Sequence, residues 1–202
     1  CNLMDHQEIF PTHLFIKDDY IDLDRVNVMK DDVMNILYKN KPNWQSVFNL
    51  DKSIMYKALA KDIVISAFEI FNRLDYKADK IEITDMWANV LKKNETHQPH
   101  NHSNNFLSGV FYLNADDTMP GITFQDPRPG ANIILPRKKM DHINNASLLH
   151  YKAKTNRIIM FPSWLVHWVP INLSTNNRIS ISWNIQVKGQ LGEHYEFQSG
   201  QF

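Results

Sequence analysis

The chain has 202 residues, 43% of them hydrophobic, and 22 basic against 22 acidic side chains give a formal net charge of zero. That length fits one domain with a sizeable core, and the balanced charge gives no electrostatic case for nucleic acid or an acidic membrane surface. No apolar run reaches the length of a membrane span, no signal-peptide pattern opens the chain, and the single cysteine, Cys1, excludes an intramolecular disulfide and fits a cytoplasmic location. Cys1 is also a position that processing could expose to lipidation, although a chain boundary is the simpler account. Six glycines and no internal repeat argue against a modular, linker-rich chain.

In chain order, residues 8–16 read as a first strand. Residues 22–39 carry Val26, Met29, Val33 and Ile36 at helical spacing, and residues 52–74 carry Leu59, Ile63, Ala67, Ile70 and Leu74 in the same way. After Lys80 the pattern changes to β, starting with Ile81 to Val90. Short strand candidates follow at 106–113, 121–125, 131–135, 148–152, 157–161, 165–170 and 178–187, separated by Asn, Asp, Pro and Gly clusters. Two helices followed by about eight short strands predict an α+β, mainly β fold: a jelly-roll with the helices packed on its outside. The whole of 1–202 is expected as a single domain, with 1–80 as strand and helical support and 81–190 as the core.

Three of the nine histidines fall in His97-Gln-Pro-His100-Asn-His102, and His167 lies 65 residues beyond His102. Residues i and i+2 of a strand share a face, so His100 and His102 can aim two imidazoles at one point and His167 can close the set. A structural zinc site wants four closed ligands, usually with cysteine. An open, catalytic three-ligand metal site is therefore the better expectation. A second signal is the strict alternation of Arg178, Ser180, Ser182 and Asn184 with Ile179, Ile181, Trp183 and Ile185. The polar row either faces water or lines a cavity, where an arginine beside a serine grips a carboxylate.

Taken together, Trp87-x-Asn89, His100-x-His102, Ser108-Gly-Val-Phe-Tyr112, Asp126-Pro-Arg128, Phe161-Pro-Ser-Trp-Leu-Val-His167 and Arg178-Ile-Ser180 resemble the 2-oxoglutarate- and Fe(II)-dependent oxygenases. The resemblance is strongest to the prolyl-hydroxylase-like branch and, within it, to a little-characterised bacterial and phage group. It covers roughly residues 80–187. It implies a double-stranded β-helix and the cofactors Fe(II), 2-oxoglutarate and O2. The implied reaction hydroxylates an unactivated C–H bond and releases succinate and CO2. It also implies iron ligation by His100 and His167, and a grip on the far carboxylate of 2-oxoglutarate by Arg178, helped by Ser180 and Tyr112. Asn89, sharing a strand face with Trp87 and Asp85, is expected along the co-substrate cavity.

The chain departs from the usual two-histidine, one-carboxylate pattern, because His102 stands where the carboxylate is expected. Either His100, His102 and His167 form the metal site, or Asp126 supplies a carboxylate from the end of a strand antiparallel to the one beginning near His167. His97 is expected at the mouth of the site, Trp164 and Trp168 beside the pocket, Arg137-Lys138-Lys139 on a solvated loop, and His142 and His150 outside the chemistry. The substrate is expected to be a small molecule or a peptide, with the loop 126–147 and the first 80 residues shaping the pocket or a homodimer face. Two other classes compete: a cupin-like metal dioxygenase or isomerase without 2-oxoglutarate, and a non-catalytic jelly-roll binding module.

Overall fold

The alternating stretch from Arg178 to Ile185 becomes the best-connected strand of the molecule. The structure, a computed structural model, describes residues 4–131, 133–193, 195 and 197–202; Cys1 lies outside them. The strands are β1 (Phe15–Lys17), β2 (Trp44–Gln45), β3 (Lys80–Leu91), β4 (His97–His100), β5 (Leu107–Asn114), β6 (Ile122–Gln125), β7 (Leu148–Tyr151), β8 (Ile158–Pro162), β9 (His167–Val169), β10 (Arg178–Lys188) and a short C-terminal pair, β11 (Gln190–Leu191) and β12 (Gly200–Gln201). Six of them form one sheet in the order β1-β8-β5-β10-β3-β2, and four form another in the order β4-β9-β6-β7. The pairings are antiparallel. This is the jelly-roll arrangement that the strand order predicts.

The two faces of β10 explain the layering. Ile179, Ile181, Trp183 and Ile185 join a core cluster with Leu59, Ile63, Ala67 and Ile70 of helix α2 (Lys57–Arg73), and with Val26 and Met29 of helix α1 (Leu23–Asp32). The α2 residues recur at about one helical turn, so they form one stripe that covers the outer face of the large sheet. The opposite face looks into the sandwich, where Val110, Tyr112, Phe124, Ile159, Phe161 and Leu165 form a second cluster. Gly109 lets Trp183 cross β5 closely: a Cβ there would stand 2.3 Å from a ring carbon of Trp183 and 2.9 Å from the Ile159 carbonyl oxygen.

Several boundaries differ from the expectations, each for a local reason. The strand expected over 8–16 reduces to β1, because Pro11 has no donor and Phe10 sits at φ 55 in the left-handed region, which ends an extended run. The first helix ends at Asp32 and continues as a π turn, Val33–Leu37. The second starts late, after a 3-10 turn at Leu50–Lys52. At 131–135 the described residues form no strand, and residue 132 lies outside them. Ile133 and Ile134 are exposed there with no sheet edge to join. Conversely, His97–His100 forms a strand despite Pro99, because β4 is the edge of its sheet and an edge tolerates a missing donor. Among the described residues, no helix is long and apolar enough to cross a membrane.

Candidate metal and co-substrate site

β4 and β9 lie side by side, and His100 pairs with His167 across their ladder. From the other side of β9, Phe124 of β6 pairs with the same His167. His102 lies past the end of β4, so strand alternation does not bring it in. Its backbone amide instead donates to the Ser163 carbonyl at 2.9 Å, which turns it back toward the other two. The ring centroids stand 4.5 Å apart for His100 and His167, 5.1 Å for His100 and His102, and 5.2 Å for His102 and His167. One ring nitrogen from each lies within 4.8 Å of the others, and the three can hold a metal ion.

The protonation of two of these rings follows from their neighbours. His100 Nδ1 is 2.6 Å from the Gln98 carbonyl oxygen, and His167 Nδ1 is 2.8 Å from that of Leu165. A carbonyl only accepts, so each Nδ1 carries the proton and each Nε2 presents its lone pair. Burial pushes the His167 pKa down to about 3, against a smaller opposing effect of the Leu165 carbonyl. Burial, followed by the nearby His100, pushes His102 down to about 4. Neutral imidazole is the ligating form, so the donor set suits a metal. Phe161 packs on His167 at 4.6 Å between centroids, and Trp87 lies 6.0 Å from His102.

The interior row of β10 carries the second half of the site. Arg178 and Ser180 are each 1% exposed, so this end of the polar row does not face water, while Ser182 is half-buried. Arg178 Nε donates to the Pro120 carbonyl at 2.9 Å, Nη1 to Ser180 Oγ at 3.3 Å, and the guanidinium lies 4.8 Å from the centre of the Tyr112 ring. Among the described residues no carboxylate pairs with Arg178, and the buried Tyr112 hydroxyl has no hydrogen-bond partner. A buried cation without an anion beside a buried hydroxyl without a partner is a costly arrangement by itself. A carboxylate such as those of 2-oxoglutarate would satisfy both groups, so the residues present fit that co-substrate. Asn89 shares this face but is engaged elsewhere: its carbonyl oxygen accepts from Gln45 Nε2 at 3.1 Å, and its amide donates to Ser182 Oγ at 3.1 Å.

The structure keeps Asp126 out of the cluster. β6 does run antiparallel beside β9, as the alternative ligand set requires. Arg128, two residues on, nevertheless takes the carboxylate in a fork, with Nε 3.0 Å from Oδ1 and Nη2 2.8 Å from Oδ2. This ion pair holds the Asp126 pKa below the usual carboxylate range. Both residues line a cavity of about 380 Å³ whose walls include none of the three histidines. His97 is half-buried at the start of β4, beside the exposed Gln98 to His100. Burial, with the nearby charge of Arg178 next, pushes its pKa down to about 4. His150 bonds across the sheet to Thr123, with Nδ1 2.7 Å from Oγ1. Sequence reasoning missed the anchoring carbonyls of Gln98, Pro120, Ser163 and Leu165, because backbone acceptors leave no trace in residue identity.

Comparison with solved structures shows that the fold is shared at low sequence identity. HygX from Streptomyces hygroscopicus, solved with nickel and 2-oxoglutarate bound, has a TM-score of 0.65 at 9% identity over 87% of this chain and 83% of that one. The non-heme α-ketoglutarate-dependent epimerase SnoN from nogalamycin biosynthesis gives 0.64 at 12% identity over 92% and 81%. A Pseudomonas putida prolyl-4-hydroxylase gives 0.61 at 10% identity over 88% and 94%. No curated protein matches the chain in sequence. Residues 85–184 match the family described as "Putative 2OG-Fe(II) oxygenase", and with this domain the chain is a member of the 2-oxoglutarate- and Fe(II)-dependent oxygenases.

Proposed function

We propose that the protein is a hydroxylase in which His100, His102 and His167 hold Fe(II), and Arg178, with Ser180 and Tyr112, holds the far carboxylate of 2-oxoglutarate. One observation carries this reading. The molecule that gathers three imidazole nitrogens within 4.8 Å also buries an arginine that has no carboxylate partner, and a tyrosine hydroxyl that has no hydrogen-bond partner, among the described residues. A cupin-like enzyme without 2-oxoglutarate has no use for that arginine.

When bound, the iron and its co-substrate supply the oxidative chemistry that turns 2-oxoglutarate and O2 into succinate and CO2 and oxidises a C–H bond. The chain's own part is positional. The Gln98 and Leu165 carbonyls fix two imidazole tautomers. Arg178 supplies a charge-assisted grip that is preorganised by its bonds to Pro120 and Ser180. Phe124 and Phe161 pack around His167 and keep water from that side. HygX has been solved with hygromycin B bound, and SnoN with nogalamycin RO. For this chain we extend only the class, a small-molecule or peptide substrate. In this reading residues 1–80 support a catalytic core at 81–190, and 1–202 acts as a single domain.

The test is succinate release from 2-oxoglutarate by the purified chain. Release that requires both Fe(II) and O2 is expected. No release from protein carrying one iron per chain would refute the reading.

A further inference from the structure

His102 is the least anchored of the three imidazoles. His100 and His167 each donate to a carbonyl, whereas the ring of His102 makes no hydrogen bond among the described residues. The set also lacks charge: three neutral imidazoles bring none to a divalent ion, and Arg178 neutralises one of the two carboxylates the co-substrate offers. A carboxylate lies on the strand whose tryptophan packs against His102. Asp85 and Trp87 lie on one face of β3, two residues apart, and Trp87 packs against His102. Asp85 is half-buried and has no cationic partner among the described residues. Its Oδ2 receives the Asn184 side-chain amide at 3.5 Å, the long limit of a hydrogen bond, and among the described residues no donor reaches its Oδ1.

A chain of polar groups ties this carboxylate to His102. Ser108 Oγ donates to Asn184 Oδ1 at 2.9 Å and lies 2.8 Å from Ser163 Oγ. The Ser163 carbonyl then receives the His102 amide. Four strands of one sheet, or the turns that follow them, thus hold Asp85 and His102 in one frame.

We propose that Asp85 is the positioning residue of His102: when His102 binds the metal, its remaining ring N–H faces the Asp85 carboxylate, directly or through one water, and the charge missing from the metal's own ligands is supplied from the next layer out. Carboxylate–histidine–metal relays of this kind orient the ring and raise its basicity. The inference rests on the three-histidine reading above.

Co(II) alone is the probe, titrated calorimetrically into the metal-free full chain and followed by its visible absorption. Asp85→Asn is expected to weaken Co(II) binding by about tenfold or more and to shift the absorption bands, with the melting temperature of the metal-free protein unchanged. Asp85→Glu should recover part of the affinity. In a His102→Asp background, where the missing charge is restored at the metal itself, Asp85→Asn should change the affinity by less than about twofold. Equal Co(II) affinity in wild type and both Asp85 variants would overturn the inference, as would the same loss in both backgrounds. Wild type that takes up no Co(II) would contradict the three-histidine reading instead, so the two failures are distinguishable.

Discussion

Arg178 is the residue whose burial makes least sense without a ligand. It is fully inside, its guanidinium lies over the Tyr112 ring, and among the described residues it has no carboxylate partner. An uncompensated buried charge costs stability, and an apolar side chain of similar length removes that cost. Arg178→Met should therefore melt no lower than wild type in the absence of 2-oxoglutarate. Wild type loaded with metal should gain about 2.7 kcal/mol at a 2-oxoglutarate concentration 100 times its Kd, and the variant should gain almost nothing. Differential scanning calorimetry with and without 2-oxoglutarate reads both effects, and an equal gain in the variant would remove Arg178 from the site. At this scale the sequence was readable for the Arg178–Ser180 pair, which shares a strand face, whereas His102 lies beyond β4 and joins His100 and His167 through a backbone bond that spacing does not encode. The sequence was ambiguous at Asp126, because the choice of partner depends on the rotamer of Arg128, which spacing does not encode.

Among elements, the short first strand shows what pattern alone leaves out. The apolar residues of 8–16 look like a strand, yet only β1 finds a neighbour in β8, and a salt bridge secures its end. Arg157 donates to Asp18 from Nε at 2.6 Å and from Nη2 at 2.9 Å, and Lys154 adds a contact at 3.1 Å. The Arg157 bond first, and Lys154 after it, lower the Asp18 pKa to about 2 from 3.8. A carboxylate with a depressed folded pKa adds stability above its unfolded value and loses it as pH falls through the folded one. Between pH 4.5 and 2, the melting temperature of wild type should thus fall further than that of Asp18→Asn. The difference should be modest, because Asp18 is about a third exposed and solvent screens the pair. Equal acid sensitivity would remove this bridge from the account. The long strands were legible to within a residue or two because their alternation or apolar runs are strong. The strand bearing His97 and His100 was not, because Pro99 hides it and only its edge position makes it possible.

At the scale of the molecule, the order of helices and strands was enough for a jelly-roll with helices outside, because β10 must bury two chemically different faces. Its isoleucine and tryptophan face calls for a helical layer, and its arginine and serine face calls for an enclosed polar interior. The convergence of three histidines from β4, the following turn and β9 is a property of the closed sandwich. No single segment carries it. The central claim is that these three imidazoles, without Asp126, make the metal site. It is tested most directly by anaerobic Fe(II) titration of wild type, His102→Ala and Asp126→Asn. One iron per chain is predicted for wild type and Asp126→Asn. His102→Ala should lose more affinity than the roughly 10–100-fold that removing an outer partner costs. Iron retained by His102→Ala and lost by Asp126→Asn would contradict the account.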